Sequence, residues 1–358
     1  MRIGVLKPDH LGDLVLAAPA LAALQRRFDD LVLLCSPHTT KLANHLFPGL
    51  ALEPVLFPHL DKTRRLDLRA RPLSKYRDRF DLLLCLRWDS YLKPHVKEAG
   101  ISYYASGLDV LDLHVVVEHY QTISVLTGDY DPLFSYDYPH CPRPQSRPKK
   151  VDAVGLCISA GFPLNAWPLN HWLSLAELLS KNEIQVALLG GPCEKARLRI
   201  LAGAVEDSLH YRPSILLGGD DFAGFLGQAG EEVDLIIATD SGTAHLLSLA
   251  RPVISLFGGS PLQRFTPFGA YNAIISRLLP CSPCRQFDRK SINTCHTQEC
   301  LVNLRPDQVL ACLKAYMAGQ DFHNTNNIRG AWVSQAPWDR QLAKAAAKLP
   351  PYAALSVI

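Results

Sequence analysis

The chain has 358 residues, 48% of them hydrophobic and 20% charged, with a formal net charge of +3. That length is enough for two hydrophobic cores, and the composition is that of a soluble globular protein. The small net charge excludes nucleic acid as a bulk electrostatic partner, and no nucleic-acid-binding signature accompanies it. The longest uninterrupted apolar run, residues 14–24, contains Pro19 and is too short to span a bilayer.

Residues 1–7 read as a buried strand, followed by the loop Pro8-Asp9-His10-Leu11-Gly12-Asp13 and a helix to about Phe28. The apolar run inside that helix imitates a signal peptide, with Arg2 and Lys7 ahead of it and small residues around Ala18 and Ala20. Asp13 at its start and the strand before it argue against export, so a cytoplasmic protein is expected. Residues 31–35, 82–86 and 101–104 give further strands, and their alternation with helical or loop material predicts a parallel sheet covered on both faces. Between them, residues 62–79 carry eight basic side chains against Asp67 and Asp78. This is either a solvated face or a patch for an anionic substrate or membrane headgroups, with Arg64, Arg65 and Arg69 as the contacts.

Residues 113–126 look helical, after which the composition shifts to YPHCPRPQSRPKK at residues 138–150. This places a first domain at 1–145, a second at 151–318, and a tail at 319–358 without an assigned role. The second domain repeats the α/β alternation, with strands at 153–158, 184–189, 214–217 and 234–238 and helices at 170–180, 193–204 and 222–229. A Thr-Asp-Ser-Gly turn then leads into a short helix at 243–250 and another apolar run to Phe257. A last helix is expected at 305–318, with Pro306 near its start.

Three turns of this second half converge on the carboxyl edge of one sheet: Ser159-Ala160-Gly161, Gly190-Gly191-Pro192-Cys193-Glu194, and residues 239–245. Ligands of open α/β sheets bind in that crevice. The amides of Ser241, Gly242 and Thr243 would hold a diphosphate, and Glu194 a ribose or base. The alternatives are that Asp240 or Ser241 only caps a helix and that His245 is a core imidazole. In the first half, Asp13 sits at a helix start, where the dipole is expected to lower its pKa; it is either a cap or a base for a sugar hydroxyl. Of ten cysteines, Cys35, Cys85 and Cys157 fall in apolar strands and behave as small hydrophobes. Cys281, Cys284, Cys295 and Cys300 instead form a C-x2-C-x10-C-x4-C series in a polar segment, a candidate structural zinc or iron site in a reducing compartment.

The stretches HLGDLVLAAPALAALQRRF, NAWPLNHWLSLAELL, LLGGPCE, ATDSGTAHLLSLARPVISLFGGSP and the CSPC segment together resemble glycosyltransferase family 9, the ADP-heptose:lipopolysaccharide heptosyltransferases. The likeness runs from Met1 to about Leu313. It implies the glycosyltransferase-B fold, two Rossmann-like α/β domains facing each other across a cleft. It implies an inverting transfer without a catalytic metal, with a lipopolysaccharide-type or other glycan acceptor on the first domain and the nucleotide-sugar on the second, at the inner membrane surface. Asp13 would be the general base, and Asp240, Ser241, Gly242, Thr243 and His245 the diphosphate turn. Glu194 would hold the nucleoside and Ser159 would face the phosphates. Lys7 and Arg264 look like the family's basic groups near the sugar-diphosphate. The scheme requires Asp13 and the 240–245 turn to look onto one gap, with closure excluding water.

One position departs from the family pattern. Asn165 stands two places before Trp167-Pro168 where the family usually has a cation that would stabilise the departing diphosphate. Another donor, a protein acceptor, a nucleotide-sugar epimerase of the same architecture and a non-catalytic nucleotide-binding derivative are therefore the competing functions. An oxidoreductase is weaker, since no G-x-G-x-x-G follows the first strand of either half.

Overall fold

The computed structural model describes residues 1–57, 71–105, 114–127, 147–268, 271–277, 279–282, 284, 295 and 297–320, and the backbone of residues 332–335. These fall into two compact units, one holding the described residues up to 127 and the other those from 147 onward.

The first unit is built on β1 (Ile3–Lys7), β2 (Leu31–Cys35), β3 (Ala51–Pro54), β4 (Leu82–Cys85) and β5 (Tyr103–Tyr104), in the order β3-β2-β1-β4-β5. Every pairing is parallel. Both β1 and β2 are buried at all positions, as strands covered on two faces must be. The helices are α1 (Leu11–Gln25), α2 (Thr40–Leu46), α3 (Leu92–Ala99) and α4 (Val115–Thr127). The run that imitates a signal peptide is the centre of α1, buried without interruption from Leu14 to Leu24 and packed on α4. A helix apolar on all sides belongs inside a core, and this one is there.

The second unit contains β6 (Ala153–Cys157), β7 (Gln185–Gly190), β8 (Ser214–Leu217), β9 (Leu235–Thr239), β10 (Val253–Phe257), β11 (Ala273–Ser276) and β12 (Trp332–Gln335). Their order is β12-β11-β10-β9-β6-β7-β8, parallel except for β12, which runs antiparallel to β11. The helices are α5 (Leu169–Ser180), α6 (Lys195–Leu209), α7 (Phe222–Glu232), α8 (Gly242–Leu247), α9 (Leu262–Phe265), α10 (Glu299–Val302) and α11 (Pro306–Met317). Helix α6 outruns its expected end at residue 204 because Leu198, Leu201, Ala202 and Val205 continue a buried stripe, and it stops where His210 turns left-handed. Helix α8 is shorter than expected, six residues ending at Leu247. Strand β12 lies in the tail to which the sequence assigned no role.

Both sheets place the first strand of the unit between its successor and a later strand: β1 between β2 and β4, β6 between β7 and β9. A crevice therefore opens beyond the carboxyl ends of β1 and β4 in one unit and of β6 and β9 in the other. Among the described residues, no helix is long and apolar enough to cross a membrane.

Under α5, the buried rings of Trp167 and Trp172 meet edge to face at 4.8 Å. Trp167 Nε1 donates to Leu304 O at 2.9 Å, whereas Trp172 Nε1 is buried with no hydrogen-bond partner among the described residues. Replacing Trp167 by Phe strands the Leu304 carbonyl, while the same change at Trp172 removes a donor already unsatisfied. Trp167→Phe should therefore lower stability by about 1–2 kcal/mol more than Trp172→Phe. Urea midpoints of the two variants check the order, and equal or inverted costs would refute it.

Candidate active site

At the carboxyl edge of the second sheet the loops are stitched by neutral and charged side chains. Thr239 Oγ1 donates to Ser159 O at 2.6 Å, joining the ends of β9 and β6. Ser159 Oγ donates to Glu194 Oε2 at 3.1 Å and accepts from the Gly191 amide at 3.2 Å. Glu194 Oε2 also accepts from that amide at 2.9 Å. The three predicted turns thus do meet, and the Ser159 hydroxyl is engaged in holding two of them together. Glu194 Oε1 takes no part in these bonds.

Beyond β9, Ser241 has extended backbone and its hydroxyl accepts from the Ala244 amide at 3.2 Å, capping α8. The cap leaves the amides of Gly242 and Thr243, which lie too early in the helix for an intrahelical acceptor, as the donors offered at this edge. His245 is 5% exposed, its amide bound to Ser241 O and its carbonyl to Ser248 Oγ. Asp240 Oδ2 accepts from Asn165 Nδ2 at 3.1 Å, and the same nitrogen lies 3.1 Å from Ser260 Oγ. Asn165, buried behind β6, therefore binds the loops after β9 and β10. Arg264 follows on α9, its guanidinium 5.6 Å from the Phe265 ring centre.

In the first unit, the carboxyl ends of β1 and β4 carry a chain of alternating charges. Lys7 Nζ, on a side chain 4% exposed, is 3.0 Å from Asp9 Oδ2, 3.3 Å from His119 Nε2 and 3.5 Å from Leu86 O. Arg87 donates from Nη1 to Asp9 Oδ1 and from Nε to Asp89 Oδ2, the latter at 2.6 Å. Asp89 Oδ1 in turn accepts from the amides of Tyr91 and Leu92 at the start of α3. Burial opposes the charge on Asp9, but Lys7 and Arg87 outweigh it and hold its pKa down at about 2.

Asp13, in the first turn of α1 and partly buried, behaves in the opposite way. Its pKa is raised, first by burial and then by the negative charge of Asp9. The expected lowering by the helix dipole is overturned, because desolvation and a neighbouring carboxylate exceed the pull of a helix end. Lys7, expected near the sugar-diphosphate, has its ammonium turned onto partners within the first unit. Sequence reasoning named neither Arg87, Asp89 nor His119. The first two stand just past β4, where the carboxyl-edge rule points, while only the packing of α4 on α1 reveals His119.

Of the basic segment 62–79, the residues Arg64, Arg65 and Arg69 lie outside the described residues. Its described part is engaged locally: Arg79 with Glu53, Arg77 with Ala99 O, and Arg71 with Glu98. Cys284, Cys295 and Cys300 line one hollow with Phe162, Leu164, Gly259 and Gln298, and Cys281 lies exposed nearby in sequence. Burial, then Cys295 and Cys281, raises the Cys284 thiol; burial, then Cys284 and Cys295, pushes Cys300 up to about 11. Four thiols suit zinc or iron as a donor set, and a bound cation would relieve this mutual opposition to ionisation. Among the described residues, however, no three His, Cys, Asp or Glu side chains stand in an arrangement that could hold a metal ion.

Two parallel α/β units, each with a ligand crevice at its central strand, define the glycosyltransferase-B class of fold. The described fold aligns with E. coli ADP-heptose lipopolysaccharide heptosyltransferase II at a TM-score of 0.60 and 18% identity, over 89% of this chain and 99% of that one. It also aligns with the iron-containing dodecameric glycosyltransferase TibC of enterotoxigenic E. coli at a TM-score of 0.53 and 14% identity, over 88% and 76% of the two chains. Residues 114–295, just over half of the chain, match glycosyltransferase family 9 (heptosyltransferase), and the chain belongs to that family. A curated relative, lipooligosaccharide heptosyltransferase 2 of Haemophilus ducreyi, is 28% identical over 176 residues, 46% of this chain. The chain spans about half the length of the curated relatives it matches, 47% in that case.

The raised pKa of Asp13 has a consequence for stability. A carboxyl that holds its proton more tightly when folded contributes stability fully present below the unfolded value, about 3.9, and lost as pH rises through the folded value. Asp13→Asn should therefore melt above the native protein at pH 7–8 and lose that advantage as pH falls towards about 4. Thermal unfolding across pH measures this, and an advantage unchanged at acid pH would contradict it.

Proposed function

We propose that the protein transfers a heptose from an ADP-heptose donor to a lipopolysaccharide-core acceptor, with inversion at the anomeric carbon. The observation that carries this reading is a partly buried carboxyl of raised proton affinity, Asp13, on a domain whose companion ties together the loops after β6, β7 and β9 at its carboxyl edge. The names of the Haemophilus relatives support the acceptor class, and that of the E. coli structure supports the donor. The working division is the acceptor domain at 1–145, the nucleotide-sugar domain at 151–318 and the tail beyond it.

In the proposed reaction the acceptor hydroxyl gives its proton to Asp13 as its oxygen attacks the anomeric carbon. The bond from that carbon to the diphosphate breaks, and its electron pair leaves on the nucleoside diphosphate. The amides of Ser241, Gly242 and Thr243 stabilise the departing charge, with Asp240 and His245 shaping the turn and Arg264 adding positive charge. Glu194, through the oxygen not tied to Gly191, takes the nucleoside. No catalytic metal is used. The protein works in the cytoplasm against the inner membrane, with Arg64, Arg65 and Arg69 towards anionic headgroups or acceptor, and without nucleic acid.

Asn165 favours a second reading, a derivative that binds nucleotide without transfer or uses another donor, because a neutral side chain occupies the family's usual cationic position. Turnover with ADP-heptose and a core acceptor, followed by mass spectrometry of the product, separates the readings. Asp13→Asn should lower turnover by a factor of about 100–10,000 while leaving ADP affinity within about twofold. A near-native rate would remove Asp13 from the reaction, and product formed without acceptor would indicate an epimerase.

We further propose that Cys281, Cys284, Cys295 and Cys300 hold a structural zinc or iron ion that would have to draw the thiols closer than they stand, a reading supported by Cys284, Cys295 and Cys300 lining one hollow and by the iron-containing TibC. Metal analysis of freshly purified protein should find about one ion per chain, as a four-thiol site requires, and far less in the Cys284→Ser/Cys300→Ser variant. Metal-free native protein of unchanged stability would dismiss the site.

A further inference from the structure

We propose that Asp9 is a positioning residue for Asp13: clamped between Lys7 and Arg87, it is the fixed anion that sets the charge and the loop geometry against which the base works. This deepens the reading of Asp13 as general base and rests on it. Asp9 lies four residues before Asp13, in the turn that delivers β1 into α1, and is 6% exposed. Its two oxygens go to cations from different elements, Lys7 at the end of β1 and Arg87 beyond β4. Each cation is itself anchored. Lys7 touches His119 Nε2 and Leu86 O, and Arg87 continues to Asp89, which caps α3.

His119 joins this set through both ring nitrogens, with Nδ1 3.3 Å from the Leu16 carbonyl and Nε2 3.3 Å from Lys7 Nζ. The run Lys7, Asp9, Arg87, Asp89 ties the end of β1, the residues past β4 and the start of α3 together beside the start of α1. The charged groups acting on Asp13 are Asp9, Lys7, His10 and Arg87. Helix α4, packed on α1, carries the buried Glu118 and His119, and the buried His114 immediately precedes it. Two carboxylates four residues apart thus have opposite environments: Asp9 is clamped by two cations and stays charged, while at Asp13 burial and the charge of Asp9 outweigh Lys7, His10 and Arg87. This division of labour is the pattern that yields one permanent anion and one proton acceptor. Lys7 then acts through Asp9 and not on the diphosphate.

The test is the ionisation midpoint of Asp13 in the full chain, read in two ways. One is the acid limb of kcat/KM; the other, independent of turnover, is the carboxyl carbon resonance of protein labelled with 13C-aspartate, assigned by its loss in Asp13→Asn. Asp9→Asn removes the facing anion and leaves Lys7 and Arg87 unopposed, so both readouts should move down by about one pH unit or more. Arg87→Met and Lys7→Met remove cations and should move them up by about half a unit. A purely structural network would lower activity without displacing either midpoint, and unmoved midpoints overturn the proposal. If Asp9→Asn does not fold, the upward shifts in the other two variants decide. Full turnover in Asp13→Asn would sink the general-base reading alone, since the resonance still reports whether Asp9 governs Asp13.

Discussion

Asp9 is buried, and burial alone would make it give up its charge. It remains ionised because Lys7, at the end of β1, and Arg87, just past the neighbouring β4, both pair with it. Removing one member of such a buried set leaves an uncompensated charge, which is far more costly than the net worth of the pair. The consequence reaches beyond stability. A permanently charged Asp9 is a fixed point in the field around α1, and it raises the proton affinity of the carboxyl one turn further on. The same desolvation that Asp9 withstands acts with Asp9 on Asp13.

The second unit solves its own assembly differently. Its carboxyl edge is joined mainly by hydroxyls, amides and a side-chain amide: Thr239 to Ser159, Ser159 to Gly191 and Glu194, Asn165 to Asp240 and Ser260. Hydrogen bonds of this kind fix loops without creating a strong local field, and they leave helix amides as the directional donors. In the proposed reaction this is an appropriate contrast, with charge-tuned acid–base chemistry on one domain and amide-lined anion binding on the other.

What could be read from the residues follows from how strongly each element is buried. The interior strand β2, buried at every position, is an apolar run whose boundaries coincide with the expected ones. Strand β3 was missed because its residues are exposed or half-exposed, with Glu53 and Pro54 in four positions, and β12 because a partner strand, not its own pattern, defines it. The helix at Asp13 was legible and its charge state was not. A dipole argument needs only the sequence, whereas Asp9's proximity and the depth of burial exist only in the fold. Likewise the turns after β6, β7 and β9 were visible as small-residue loops, and capping by Ser241 was one of the expected alternatives, but the commitment of Ser159 to internal bonds was not visible.

Asn165 is where the family pattern and this chain part, and the geometry gives that difference a physical meaning. Its amide nitrogen lies against Asp240 Oδ2 and Ser260 Oγ, so a cation in its place would meet Asp240 first and be partly neutralised before reaching any ligand. The neutral donor keeps the loops joined but leaves the Asp240 charge less compensated at the edge where an anionic diphosphate is proposed to bind. In the proposed binding mode, attraction for phosphate would come from the amides at the start of α8 and from Arg264. In that binding mode the Ser241 cap would help set nucleotide affinity, since it fixes the start of α8 from which the amides of Gly242 and Thr243 are offered.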